Sequence, residues 1–174
     1  DAVLGKVLKW QGTFEQCTLH PTEAQRLLTE SVALLHTAGA REDEVEALCF
    51  LGMSSYTDDR SEQAAYYFGQ SLALARAIND RRGTAHALTM IGRMRMAAND
   101  ADWIRQHIPE ALRLCREIDF RWGAAVCLIL LSRAALHQGA YDEAERRINE
   151  AFALLQQIGI TWVKRIGEVV SRGS

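Results

Sequence analysis

The sequence predicts an all-α protein, a solenoid of antiparallel helix pairs. Three observations carry this: the chain repeats every forty residues, apolar residues within each copy follow helical spacing, and turn formers fall at matching places between helices. Leu8, Leu48, Leu88 and Leu128 share one register, and Leu34, Leu74, Leu114 and Leu154 another. Gly12, Gly52 and Gly92 share a third, with Ser132 in the fourth copy. Ala24, Ala64 and Ala144 share a fourth, where the third copy has Ile104, and Ser31, Ser71, Ala111 and Ala151 share a fifth. Trp122 and Trp162 are also forty apart. Coincidence at five independent registers is improbable, so the period is real. The copies cover about 1–39, 40–79, 80–119 and 120–159, with a capping helix at 160–172, so that 1–174 reads as a single domain.

Each copy divides into two helices. In the first, His20-Pro21-Thr22 puts a proline where a first helical turn tolerates it. In the second, apolar residues recur at Val45, Leu48, Leu51 and Gly52, then at Ala64, Phe68, Ser71 and Leu72, with the polar break Thr57-Asp58-Asp59-Arg60-Ser61 between them. The third breaks at Asn99-Asp100 and is the irregular one: Ile104 follows Trp103, and Pro109 falls inside the second helix. A proline there removes a backbone hydrogen bond at a cost of ~3 kcal/mol, which predicts a kink or a helix that starts late. The fourth breaks at Gly139-Ala140-Tyr141-Asp142. Between copies, Gly39, Asn79, Asp119 and Gly159 mark helix ends. Beyond them, Trp162, Val163, Ile166, Val169 and Val170 give the capping helix an apolar face for the fourth copy.

Small residues set the expected geometry. Gly52 and Ala64 are expected to face each other within a hairpin, and Ser71 or Ala111 to let the second helix meet the next copy. A single hairpin cannot bury both of its apolar faces, so the copies must stack.

The small residues at Gly52, Ala64 and Ser71 with an aromatic at Phe68 resemble the tetratricopeptide consensus, and Gly139-Ala140-Tyr141-Asp142-Glu143-Ala144 looks like its inter-helix turn. The period exceeds the common 34 residues of that repeat. The linker Asn79-Asp80-Arg81-Arg82-Gly83-Thr84-Ala85 is similar to linkers in long-unit versions from bacterial signalling ATPases and transcription regulators. The resemblance implies a right-handed superhelix with a concave groove that receives a partner. The groove positions would be Lys6, Lys9, Thr13 and Gln16 in the first copy and Glu46, Cys49, Met53 and Tyr56 in the second. In the third they would be His86, Thr89, Arg93 and Met96, and in the fourth Val126, Ile129, Arg133 and Leu136. Such a groove is basic at its start, amphipathic in the middle and apolar with an arginine at its end. Arg93 and Arg133, one period apart, suggest a ladder for a carboxylate or phosphate; the simpler reading is that each is solvated or paired with an acid. A family variant that clamps a chaperone's terminal carboxylate uses lysine and asparagine where this chain has Trp10, Phe50, Met90 and Leu130, so that role is not expected.

Composition and motifs narrow the function class. A net charge of −2 with 48% hydrophobic residues suits a protein without a nucleic-acid or anionic-membrane partner. No apolar run spans a bilayer and no signal pattern opens the chain, which begins at Asp1 and reads as an excerpt of a longer protein. Cys17, Cys49, Cys115 and Cys127 form no CxxC pair, which suggests a reduced, cytoplasmic setting with Cys115 and Cys127 as small core residues. The five histidines have no metal-ligand spacing, and hydrolase, metalloprotease and nucleotide-binding motifs are absent. Acidic runs such as Glu42-Asp43-Glu44 sit near helix starts, where they favour the helix dipole. The expectation is therefore a non-enzymatic interaction module of a larger bacterial regulator, with no cofactor or metal. Its partner would be a protein or peptide segment, another domain of the parent chain included, and exposed terminal repeats would permit self-association. The alternative is a small-molecule sensor using the same groove.

Overall fold

A computed structural model describes residues 1–18 and 20–160. The capping helix expected over 160–172 therefore lies, from Thr161 onward, outside the described residues. Among the described residues there are eight helices and no strand: α1 (Ala2–Cys17), α2 (Pro21–Thr37), α3 (Arg41–Thr57), α4 (Ser61–Ala77), α5 (Arg81–Ala97), α6 (Ala101–Glu117), α7 (Arg121–Leu136) and α8 (Tyr141–Gln157). From α2 onward each helix begins twenty residues after the last, so the forty-residue copy is two equal halves.

The turns explain this regularity. Gly39, Asn79, Asp119 and Gly159, the residues expected to end the second helices, take φ of 67°, 57°, 51° and 80°. Asp59, Asn99 and Gly139 do the same within the hairpins, at 58°, 58° and 71°. Glycine adopts this left-handed conformation without a Cβ penalty, and asparagine and aspartate tolerate it. Pro21 begins α2, and the carboxylates of Asp80 and Asp100 accept from Gly83 N and Trp103 N at 2.9 and 3.1 Å, capping α5 and α6.

Contacts divide the chain into two compact units, Asp1–Met94 and Arg95–Ser174, each described by itself; α5 begins in one and ends in the other. In the first unit α1 pairs with α2 and α3 with α4, and α2 and α1 meet α3. In the second, α7 pairs with α8 and α6 packs on α7. The second helices bury one stripe in a shared register: Ala24, Leu28, Ser31 and Leu35 on α2; Ala64, Phe68, Ser71 and Ala75 on α4; Ile104, Ile108, Ala111 and Cys115 on α6. That is helical spacing along one face. First helices within the array are buried on two sides. On α3, Val45, Leu48 and Cys49 are buried, and so are Ala47, Leu51 and Ser54. By contrast α1 buries only Gly5, Leu8, Lys9 and Gly12, leaving Val3, Leu4, Val7, Trp10 and Phe14 exposed.

Three expectations change in detail. A Cβ on Gly52 would stand 2.7 Å from two ring carbons of Phe68, so this glycine makes room for the aromatic ring rather than for Ala64. The equivalent Gly12 fits closer to the expectation, since its Cβ would meet Leu28 Cγ at 2.8 Å and the Ala24 carbonyl at 3.1 Å. In the fourth copy Ser132 occupies this register and donates to the Ala144 carbonyl at 2.8 Å. Second, Ser31 and Ser71 face the first helix of their own hairpin, not the next copy: their hydroxyls donate to Gly5 O at 2.7 Å and Val45 O at 2.8 Å. Third, α6 starts on register and continues through Pro109. Pro109 is exposed, and Arg105, whose carbonyl it deprives of a helical donor, is half-exposed, so water can satisfy the freed group.

Candidate functional site

The first helices of three successive hairpins bring Trp10, Phe50 and His86 into a row within the first unit. Trp10 and Phe50 have ring centroids 6.3 Å apart at a tilt of 52°, and Phe50 and His86 are 6.3 Å apart edge to face. Trp10 is 59% exposed, and Phe50 and His86 are half-buried, so the row has an open side. Trp10 and Phe50 occupy one register, and His86 lies four residues before the same register on α5, one turn earlier on the same helix face.

Charges flank the row. Lys9 is nearly buried, and its ammonium donates to Asp43 at 2.9 Å and to Glu46, 5.2 Å from the centre of the Trp10 ring. Lys6 also reaches Asp43, at 2.9 Å. Burial pushes the Lys9 pKa down, but the hydrogen bonds to Glu46 and Asp43 outweigh it and hold it above the usual lysine value. For Asp43, burial pushes upward and the hydrogen bonds from Lys6 and Lys9 win, leaving its carboxyl below the usual range. The basic groove entrance expected from Lys6 and Lys9 is thus neutralised by acids of α3, which hold the first hairpin to the second. Its neighbour Glu44 is buried as well and accepts from His36 at 2.7 Å and Arg41 at 2.9 Å. The acidic run at the start of α3 therefore serves inter-hairpin pairing as well as the helix dipole.

At the His86 end a recess of about 300 Å³ opens between α3 and α5, lined by Glu42, Asp43, Glu46, Asp80, Arg82 and His86 with Val45 and Gly83. Burial depresses the His86 pKa, Glu46 opposes that, and Arg82 and Arg93 add to it, so the balance favours the neutral imidazole. A second groove, of about 720 Å³ among α2, α3 and α4, has Val32, His36, Thr37, Leu48 and Gln70 in its wall. Eighty residues on, Leu112, Arg116, Glu117, Leu128 and Glu150 line the corresponding groove of the second unit. Recurrence in both units marks this groove as a product of repeat packing. Arg116 bridges to Glu150 at 2.5 Å in the second unit, where the first has His36 and Gln70.

The expected groove residues separate by burial. Lys6 and Arg93 are exposed in the first unit, and Thr13, Gln16, Glu46, Met53, Tyr56 and His86 are half-buried. Lys9, Cys49 and Thr89 are buried: Lys9 in its ion pairs, Cys49 beneath Ser71, and Thr89 with its hydroxyl donating to Ala85 O at 2.7 Å. Met96 is buried too, so it contributes packing and not a contact surface. In the second unit Arg133 and Leu136 are exposed, and Val126 and Ile129 half-buried. Arg93 and Arg133 belong to different units, so the ladder is not a feature of either one. Trp10, Phe50, Asp43 and Asp80 were not among the expected groove residues. The forty-residue spacing of Trp10 and Phe50 was the signal for the first two, and the i, i+3 spacing of Asp43 and Glu46 opposite two lysines was the signal for the acids.

Among the described residues no three His, Cys, Asp or Glu side chains are placed to hold a metal ion, and no helix is long and apolar enough to cross a membrane. No protein-family model matches the chain. No curated protein matches it either.

Proposed function

We propose that the chain is a protein-interaction module of the tetratricopeptide type, the repeat portion of a larger bacterial signalling or transcription regulator, and that it receives an extended peptide segment along α1, α3 and α5. The observation that carries this is the row Trp10–Phe50–His86. Its two steps of 6.3 Å match the two-residue advance of an extended chain, about 6.6 Å, so side chains at alternate peptide positions would seat between successive rings. Aromatic rings held by rigid helices offer contact area at little entropic cost. Beside the row, the half-buried carboxylates of Asp43 and Glu46, held in place by the buried Lys9, supply fixed acceptors for the peptide backbone.

A small-molecule sensor is the second reading, favoured by the recess of about 300 Å³ at His86, which is at the lower end of the usual size of a ligand pocket. Thermal-shift measurements against a metabolite library, beside capture of peptides from a random library, separate the two. A ligand that binds only the folded state raises its stability. Peptide capture abolished by Phe50→Ala supports the first reading; a metabolite that raises Tm, with no peptide captured, supports the second and overturns the first.

A further inference from the structure

Cys115 on α6 and Cys127 on α7 are both fully buried within the second unit, where these helices pack together. A Cβ placed on Gly123 would lie 2.7 Å from Cys115 Sγ. Cys127 is one helical turn beyond Gly123 on the same face of α7, which sets its side chain beside the Cys115 sulfur that fills the space over Gly123. The absent side chain at Gly123 is thus what lets the Cys115 sulfur settle against α7 beside its partner. Of the other two cysteines, Cys17 is exposed on α1 and Cys49 is buried on α3, both in the first unit.

We propose that Cys115 and Cys127 are an oxidisable pair, and that a hydroperoxide converts them to a reversible disulfide that locks the third hairpin to the fourth. One sulfur, as thiolate, attacks a peroxide oxygen; the O–O bond breaks, an alcohol or water leaves, and a sulfenic acid forms. The second sulfur attacks the first, the S–O bond breaks, the S–S bond forms and water departs. Two thiols are oxidised by two electrons, and one peroxide is reduced. The neighbouring Cys127 thiol and burial together push the Cys115 thiol well above its ordinary value, and both residues are closed off from solvent, so the pair is unreactive in the closed structure. Reaction therefore waits on opening of the α6–α7 contact, and the disulfide then holds that contact shut. In an array joined only by neighbouring hairpins, fixing one junction restrains how the array can bend.

The test uses the chain under native conditions, treated with hydrogen peroxide, unfolded, alkylated and mapped by mass spectrometry. The expected result is a peptide pair joining Cys115 to Cys127, two hydrogens lighter than the separate thiols, forming faster in mild denaturant and restored by dithiothreitol. The oxidised protein melts several degrees higher than the reduced one, and Cys127→Ser shows neither link nor shift. Should that variant fail to fold, the peptide map of the unaltered chain decides alone. Cys115 and Cys127 both recovered as free thiols after oxidation, singly over-oxidised, or linked instead to Cys17 of another molecule would overturn the proposal.

Discussion

Replacing Gly52 with alanine sets two magnitudes against each other. Alanine is the better helix former by about 1 kcal/mol, so at an indifferent helical site the change stabilises. At Gly52 the added methyl would sit 2.7 Å from the Cδ1 and Cε1 of Phe68, and that ring is 1% exposed with nowhere to retreat. Overpacking of this kind costs about 1–3 kcal/mol, so the net expectation is a loss of about 1 kcal/mol. In a chain of this length that lowers Tm by about 2–4 °C. Gly69 supplies the control, because it is on α4 and a Cβ there would meet nothing within 4 Å; Gly69→Ala should stabilise by about 0.5–1 kcal/mol. The decisive arm is Phe68→Ala, which itself costs about 3–5 kcal/mol but removes the ring. In that background Gly52→Ala should turn stabilising. Urea unfolding followed by circular dichroism gives all four values, with a second probe to check that the transition is two-state. Stabilisation by Gly52→Ala equal to that by Gly69→Ala in the unaltered chain, or an effect of Gly52→Ala that Phe68→Ala leaves unchanged, would refute the ring-contact reasoning.

Further outcomes follow from other contacts. Leu128→Ala, at a position 2% exposed, should cost about 2–5 kcal/mol in the same unfolding assay. Ser54 is fully buried and its hydroxyl has no hydrogen-bond partner among the described residues, so Ser54→Ala should stabilise by up to about 1 kcal/mol, read as a higher urea midpoint. Lys9→Met leaves Asp43 and Glu46 without their buried cation and should cost about 1–3 kcal/mol, the half-exposed acids keeping it below a fully buried pair. The same cluster sets a pH window. Asp43 is depressed in the folded state, so its contribution is complete above the ordinary 3.8 and is lost as pH falls through the lower folded value. Lys9 is raised, so its contribution is complete below the ordinary 10.5 and is lost as pH rises through the higher folded value. Tm measured against pH should fall at both ends, and Lys9→Met should lack the alkaline limb assigned to this side chain.

Much of the architecture was legible because periodicity and backbone chemistry are local. The leucines at 8, 48, 88 and 128 are all buried, and the residues expected to end helices take the left-handed conformation that ends them. Partner identity was less legible. Gly52 signals a close approach, but whether Ala64 or Phe68 fills the space depends on how the two helices are rotated, which spacing does not specify. Ser71 is small enough for either neighbour, and its hydrogen bond to Val45 places it against its own hairpin. The groove positions were displaced for a similar reason. Lys9, Cys49 and Thr89 lie one helical step from the open side, and a rotation of about 100° per residue turns a surface position into a core one. Lys6 and Lys9 read as a basic entrance because pairing with Asp43 and Glu46, more than thirty residues away, is a tertiary fact. Pro109 read as a disruption because propensity ignores solvent, which satisfies what the proline leaves open on an exposed face.

The functional account rests on the ring row of the first unit, and affinity for selected peptides tests it most directly. Peptides enriched on the unaltered chain from a random display library should be titrated against Trp10→Ala, Phe50→Ala and, as an exposed aromatic control that is not part of the row, Tyr141→Ala in the second unit. Loss of an aromatic anchor of about 1.4–3 kcal/mol predicts a Kd at least tenfold weaker for the first two variants and unchanged for the third. Peptides that bind all three variants as tightly as the unaltered chain, or no enrichment at all, would contradict it.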